Sequence, residues 1–208
     1  MLRYVNDDNT IGARSASNEG EARGLRADAT RNREQLLDIA SRVYMSSSAA
    51  EPSLRAIARE AGVGIATLYR HFPNREALVD AIYQDQVVRL TRGAVELLED
   101  FPPATAMRRW MDLFGEWIAT KNGMLGTLLA MIEAGEIAHG RTRDELLTAI
   151  TAILDAGRAA GDLRPDVTAE DIAAALIGVF TVAPPPEQAA QAARLLDLFM
   201  DGLRAPAG

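Results

Sequence analysis

Two short helical segments on either side of a glycine turn constrain the fold more than any other feature of this sequence. The first, 54–61, follows Ser53, a preferred N-cap residue, and the second, 65–71, ends before Pro73. Between them, Gly62 supplies a left-handed residue that stops a helix. Helices this short cannot bury their own apolar faces, so we predict that they pack on each other and on a third helix. The predicted packing positions are Ile57, Ala58, Val63 and Leu68.

Helical periodicity continues on both sides of this pair. Before it, apolar residues spaced by three and four predict a helix over 29–46, with Asp28 as its N-cap. After it, Asn74 is the predicted N-cap of a long helix that reaches about residue 100 and stops before Pro102-Pro103. Turn-forming segments divide the rest into further helices, and no strand pattern competes. Their predicted ranges are 104–120, 123–137, 141–160, 168–182 and 186–203.

These patterns predict an all-α protein of about nine helices. We place a mobile arm at 1–24, a three-helix helix-turn-helix domain at 25–80 and a C-terminal helical domain at 81–208. Two interpretations of the arm stay open. Either Arg23 and Arg26 enter a minor groove, or the arm is a solvated tail, which its neighbouring acidic residues favour.

Composition excludes several functional classes. The chain has no cysteine, which rules out disulfides, a thiolate nucleophile and a cysteine zinc site. The longest apolar run, 172–183, is shorter than the roughly 18 residues that span a bilayer. Because residues 1–24 contain no apolar block of signal-peptide length, we expect a cytoplasmic protein without a membrane partner.

An enzyme is the rival class. The sequence has no glycine-rich phosphate loop, no His-Glu-x-x-His and no Gly-x-Ser-x-Gly. Glu133, Glu136 and His139 recur at every third residue and are the best candidates for a metal site. A three-residue step drifts by about 60° around a helix, which favours a solvated face. We therefore expect no catalysis, no metal and no cofactor.

Charge is unevenly distributed along the chain. The formal net charge is −7, which by itself opposes nucleic-acid binding. Residues 25–80 nevertheless hold eight arginines against seven acidic residues, whereas 81–208 hold eleven basic against eighteen acidic residues. The acidity therefore lies outside the predicted helix-turn-helix domain.

A helix-turn-helix places its second helix in the major groove of DNA, which is about 12 Å wide. After the packing positions are removed, this pair of helices is left with guanidinium forks, small residues and hydroxyl donors. A solvated surface would have the same composition, so that alternative stays open. The outward residues are Arg55, Ile65, Ala66, Thr67, Tyr69, Arg70 and His71.

The string AIAREAGVGIATLYRHFPNREAL resembles the signature of the TetR family of bacterial transcriptional regulators, and LLDIASRVY resembles the family's first helix. This resemblance covers about residues 30–85; GDLRPDVTAEDI also resembles a linker of many members. It implies that Arg55 and the 65–71 helix contact operator bases and that Arg75 grips the backbone. The residues it assigns to phosphates or bases are Thr67, Tyr69 and His71.

One departure from the family is the low positive charge of this domain, since many members carry lysines near position 75. Operator affinity is then expected to be modest or strongly dependent on salt.

The same resemblance implies a homodimer on double-stranded DNA. One short helix contacts too few base pairs, whereas a two-fold dimer places two helices in successive major grooves about 34 Å apart. We expect the last two helices to form the interface through the apolar stripe of each helix. The alternative is that part of each stripe packs in the core of the same chain. The candidates are Leu176, Val179, Phe180, Ala192, Leu195, Leu196, Phe199 and Leu203.

Large apolar residues concentrate at 104–160, where the family surrounds an effector cavity. Core packing alone is the alternative, but methionine and tryptophan also suit a small-molecule site. We therefore predict a repressor released by a mainly hydrophobic effector, with the 74–100 helix as the lever. The alternative is a helix-turn-helix-derived ligand-binding or interaction module that no longer binds DNA. Candidate effector residues are Trp110, Phe114, Trp117, Met124, Leu128, Met131, Ile132, Ile150 and Leu154.

Overall fold

The computed structural model describes residues 30–47, 50–135, 139–182 and 189–205. Within these ranges the helices are joined by turns and short connections, and the one β-type pairing is an isolated antiparallel bridge between Leu163 and Arg204. This confirms the predicted all-α class. The predicted arm and Asp28 lie outside the described residues. The helices are α1 (30–45), α2 (Leu54–Glu60), α3 (Ile65–His71), α4 (Arg75–Asp100), α5 (Pro103–Gly123), α6 (Leu125–Glu133), α7 (His139–Ala160), α8 (Ala169–Val182) and α9 (Ala189–Leu203).

Local side-chain chemistry sets the limits of α2. The Ser53 hydroxyl accepts a hydrogen bond from the amide of Ala56 at 3.1 Å, as expected of an N-cap. At the other end Gly62 has φ +66°, and the amide of Val63 donates to the carbonyl of Ala58 at 2.9 Å. This is a Schellman motif, which turns the chain sharply towards α3.

The long helix α4 is also capped as predicted, because the Asn74 side chain accepts from the amide of Ala77 at 2.8 Å. It runs without interruption across the predicted domain boundary at 80/81. Pro103 is the first residue of α5, where its missing amide proton costs nothing. The prediction for α6 is wrong at its C-terminus: the helix ends at Glu133, and Gly135 follows with φ +75°.

The central helix of the C-terminal part is α4, which packs against α5, α6 and α7. Helix α8 packs mainly against α7 and also against α5, and α9 packs against α5 and α8. Trp110 is fully buried and its indole Nε1–H donates to the carbonyl of Leu90 at 2.9 Å. Phe114 lies between Trp110 and Trp117, with ring centroids 5.7 and 5.2 Å away, and also faces Phe180. This aromatic cluster fixes the spacing of α4, α5 and α8.

A polar junction joins the helix-turn-helix to α6. The Glu51 carboxylate accepts hydrogen bonds from the Thr127 amide at 2.7 Å, from its hydroxyl at 2.6 Å and from Arg75 at 3.2 Å. Arg75 also donates to the Tyr44 hydroxyl at 3.0 Å. Burial raises the pKa of Tyr44, and the Arg75 charge opposes that rise. We call this set of four residues the Glu51 junction.

Close backbone packing reinforces the junction. A Cβ atom at Gly123, the last residue of α5, would overlap the carbonyl oxygen of Tyr44 near the end of α1. Only glycine lets the two helix ends approach this closely. The N-terminal helices therefore rest directly on the C-terminal part.

Candidate functional site

The outward side of α2 and α3 is the first candidate site. Leu68 is the buried residue of α3, whereas Tyr69 is 48% exposed and Arg70 is exposed beside it. Ala66 and, on α2, Arg55 are exposed as well. The remaining predicted contacts are partly buried; they are Ile65, Thr67 and His71.

The arginines of α2 and α3 have no internal partners. Within the described residues, Arg55, Arg59 and Arg70 make no ion pair, hydrogen bond or aromatic contact. Arginines of later helices are mostly paired; for example, Arg108 lies 2.7 Å from Asp197. Three guanidinium groups on α2 and α3 are therefore available to an external anion.

Arg59 was not among the predicted contacts. It is exposed and lies four residues after Arg55, so both occupy one face of α2. That spacing was the signal in the sequence that could have found it. We define the recognition surface as Arg55, Arg59, Ala66, Tyr69 and Arg70.

Arg75 occupies a different environment from the recognition surface. Its side chain is 28% exposed and its guanidinium group is engaged by Glu51 and Tyr44 in the Glu51 junction. The predicted grip on a DNA backbone would therefore compete with these internal bonds.

The second candidate site is a cavity of about 270 Å³ between α4, α5, α7 and α8. It is lined by three of the nine predicted effector residues: Phe114, Trp117 and Ile150. None of the other six lines it: five are buried in the core and the sixth packs against it, so their contact with an effector stays a prediction. These are Trp110, Met124, Leu128, Met131, Leu154 and Ile132.

Polar groups in this cavity were missed from the sequence. Its lining includes Lys121, Thr142 and Arg143, and no acidic residue is among the described lining residues. The Lys121 Nζ lies 5.2 Å from the centroid of the Trp117 ring. Burial lowers the pKa of Lys121 and raises that of Tyr83, and the neighbouring Thr142 hydroxyl opposes the rise at Tyr83. The one available signal was that Lys121 is the chain's single lysine.

The third candidate site is the outer side of α8 and α9. Five of the eight predicted interface residues are buried within the protomer, and their place in an interface stays a prediction: Leu176, Phe180, Ala192, Leu196 and Leu203. Partly exposed are Val179, Leu195 and Phe199. The exposed apolar residues on these helices are instead Ile177, Val182 and Leu198, at 55%, 67% and 68% exposure. The largest apolar stripe of each helix therefore faces inward.

Two other predictions concern membranes and metals. No helix within the four described ranges is long and apolar enough to cross a bilayer. Glu133 is exposed at the end of α6, but Glu136 and the side chain of His139 lie outside the described residues. The solvated face assigned to these three residues stays a prediction.

Models of known families match both parts of the chain. Residues 36–82 match bacterial regulatory proteins of the tetR family. Residues 102–205 match the C-terminal domain of SbtR-like transcriptional regulators, a span of half the chain.

Individual relatives agree with these models. The TetR transcriptional regulator SCO0520 from Streptomyces coelicolor is 43% identical, with a TM-score of 0.77, over 84% of this chain and 99% of that one. A TetR transcription regulatory protein from Mycobacterium vanbaalenii is 31% identical, with a TM-score of 0.65, over 87% and 99%. The HTH-type transcriptional regulator SAB2452 of Staphylococcus aureus is 35% identical over 37% of this chain and 42% of its own length. The chain thus spans less than half of that last relative.

Proposed function

The chain belongs to the TetR family of bacterial transcriptional regulators, and from this premise we propose that it is a repressor, released from its operator by a small, mainly hydrophobic effector. Its operator is a pseudo-palindrome bound by a homodimer. The observation that carries the proposal is the recognition surface, where exposed arginines without internal partners flank a short helix. Because operators lie in the bacterial cytoplasm, the protein acts there.

The recognition surface suits both kinds of DNA contact. Arg70 and Tyr69 lie on α3, the helix that enters the major groove, where a guanidinium fork binds guanine and a phenol binds bases or phosphates. Arg55 and Arg59 lie on α2, which crosses the backbone in such motifs. With few cations in total, we expect a modest operator affinity, which falls with salt in proportion to the number of phosphate contacts.

The outer side of α8 and α9 supports the dimer. Val182 and Leu198 expose apolar side chains that a two-fold partner would cover. Val179, Leu195 and Phe199 are partly exposed beside them and complete the proposed interface.

Helix α4 supports the release mechanism. Tyr83 of α4 lines the cavity, and Arg75 at its start belongs to the Glu51 junction. They lie eight residues apart, which corresponds to about 12 Å of helix, so a displacement at the cavity reaches the recognition domain through one rigid element. An effector that binds more tightly to the dimer conformation whose recognition helices do not match the groove spacing shifts the population towards that conformation. Operator affinity then falls by the ratio of the effector's affinities for the two conformations.

A gel shift with the DNA that flanks its own gene tests the proposal. Arg55→Ala and Tyr69→Phe should each weaken the shift without lowering the melting temperature. Arg92→Ala is the matched control, since Arg92 of α4 is 73% exposed and paired with Glu96. If the wild-type protein shifts no fragment, the alternative stands: a ligand-binding module without DNA affinity, which the net charge of −7 favours.

A further inference from the structure

Two chemically different sets of residues line the cavity between α4, α5, α7 and α8. The apolar wall residues are Phe114, Leu146, Leu147, Ile150, Ala173 and Ile177. The cations are Lys121 and Arg143, and the lining also includes Tyr83 and Thr142. A ligand that fills the cavity therefore meets apolar side chains and cations together.

Neither cation has an anionic partner. Within the described residues, Lys121 and Arg143 make no ion pair, and the Lys121 ammonium contacts only the face of the Trp117 ring. The neighbouring arginine of α7 differs: Arg141 lies 3.0 Å from Glu145 and does not line the cavity. Burying a cation without a counter-ion costs free energy. Burial therefore disfavours the charged form of Lys121 and lowers its pKa.

Trp117 contributes its aromatic ring to the cavity lining. The residue is 5% exposed, and within the described residues its indole Nε1–H has no hydrogen-bond partner. Because the Nε1 atom has almost no accessible surface, the groups that a ligand could pair with in this cavity are the two cations.

From this arrangement we propose that the cavity binds a small amphipathic monoanion, a carboxylate attached to an aromatic or branched hydrophobic body. The carboxylate lies between Lys121 and Arg143, and the body lies against Phe114, Ile150 and Ile177. A volume of about 270 Å³ is just below the roughly 300–1,000 Å³ of most small-molecule sites, so the ligand is compact. The inference that this ligand is the effector rests on the proposed function. The inference that the cavity binds such a ligand does not.

Other ligand classes fit the cavity less well. A neutral hydrophobic compound would leave both cations unpaired and would bury Lys121 further. Inorganic phosphate would satisfy the cations but would leave the apolar wall uncovered. A cationic ligand would be repelled by Lys121 and Arg143.

Calorimetric titration with a series of phenylalkanoates of increasing chain length, each paired with its primary amide, tests the proposal. At least one carboxylate should bind about tenfold more tightly than its amide, because a charge-assisted hydrogen bond is roughly twice as strong as a neutral one. Lys121→Met should remove most of that preference and leave the affinity for the amide unchanged.

Two arginine variants sharpen this test. Arg143→Gln should reduce carboxylate affinity about threefold, since this arginine is exposed and screened. Arg141→Gln, two residues away and outside the cavity, should change nothing. Melting temperatures check that each variant folds. If Lys121→Met is unfolded, the acid and amide affinities of Lys121→Gln and Arg143→Gln provide the test instead.

Three results would overturn the proposal. They are equal affinity for acid and amide, no binding of any carboxylate up to about 5 mM, or a Lys121→Met variant that loses as much affinity for the amide as for the acid. Repeating the gel shift with the bound carboxylate separates the two hypotheses. Binding without operator release overturns the release mechanism and leaves the ligand class intact. Release by the amide as effectively as by the acid overturns the ligand class alone.

Discussion

The recognition surface and the cavity are both built around cations that have no carboxylate partner, but they differ in shape and burial. Arg55, Arg59 and Arg70 project from two seven-residue helices into solvent. Lys121 lies half-buried among four helices, against the face of Trp117. The first arrangement suits a long polyanion contacted from outside, whereas the second suits one small anion that loses its water on entry.

Arginines elsewhere on α4 to α9 show that this difference matters. Arg89 pairs with Asp38 and Asp85, and Arg108 pairs with Asp112 and Asp197. Internal pairing neutralises these groups and keeps them from competing for anions. Unpaired cations that share one surface or one cavity, as in these two regions, are therefore the better candidates for binding an external anion.

The largest effect on stability should come from a substitution of the buried residue that supports the recognition surface, and not from one on the surface itself. Leu68 is fully buried and Tyr69, its neighbour on α3, is 48% exposed. Leu68→Ala should lower the free energy of unfolding by about 2–5 kcal/mol, and Tyr69→Ala should change it by less than about 0.5 kcal/mol. Both should lose operator binding. Urea unfolding at fixed protein concentration measures the difference, and equal stabilities would contradict it.

The next largest effect concerns the contact that joins the two regions. Gly123→Ala forces a Cβ atom into the backbone of Tyr44 and should cost about 1–3 kcal/mol. Gly202→Ala is the matched control: this helical glycine has no atom within 4 Å of an added Cβ, so alanine should stabilise by about 0.5–1 kcal/mol. Thermal melting of both variants checks the prediction. A stable Gly123→Ala protein would mean that the close approach is dispensable.

Sequence reasoning succeeded where the signal is local. Ser53, Gly62 and Asn74 act through hydrogen bonds and backbone conformations that span a few residues, so residue type predicts their roles. Helical periodicity and the requirement that a short helix bury one side predict that Leu68 faces the core and Tyr69 faces outward.

It failed where burial is decided by distant elements. Helix α5 is buried on several sides, so periodicity cannot tell that Trp117 lines a cavity while Trp110 packs in the core. The same applies on α8, where Leu176 is buried and the next residue, Ile177, is exposed. Lys121 becomes meaningful only when α7 brings Arg143 to the same cavity.

A smaller effect should follow from removing one phosphate contact. Arg59→Ala should weaken operator binding by about 1 kcal/mol, equally for all sequences, and should reduce the salt slope by about one charge. Stability should not change, since Arg59 is exposed and unpaired. Binding isotherms at several salt concentrations provide the measurement, with Arg92→Ala as control. An unchanged salt slope would remove Arg59 from the recognition surface.

The smallest effect distinguishes the two roles of Arg75, internal brace or grip on the DNA backbone. In the Glu51 junction its guanidinium group is held by Glu51 and Tyr44, and Glu51→Gln removes the charge that holds it while keeping an acceptor for Thr127. If Arg75 grips a phosphate, releasing it should strengthen operator binding two- to threefold, about 0.5 kcal/mol. Arg75→Ala should then weaken binding and abolish the gain in the double variant. Weaker binding by Glu51→Gln alone would make Arg75 a brace, because the ion pair would then position α4 for DNA rather than withhold a cation from it.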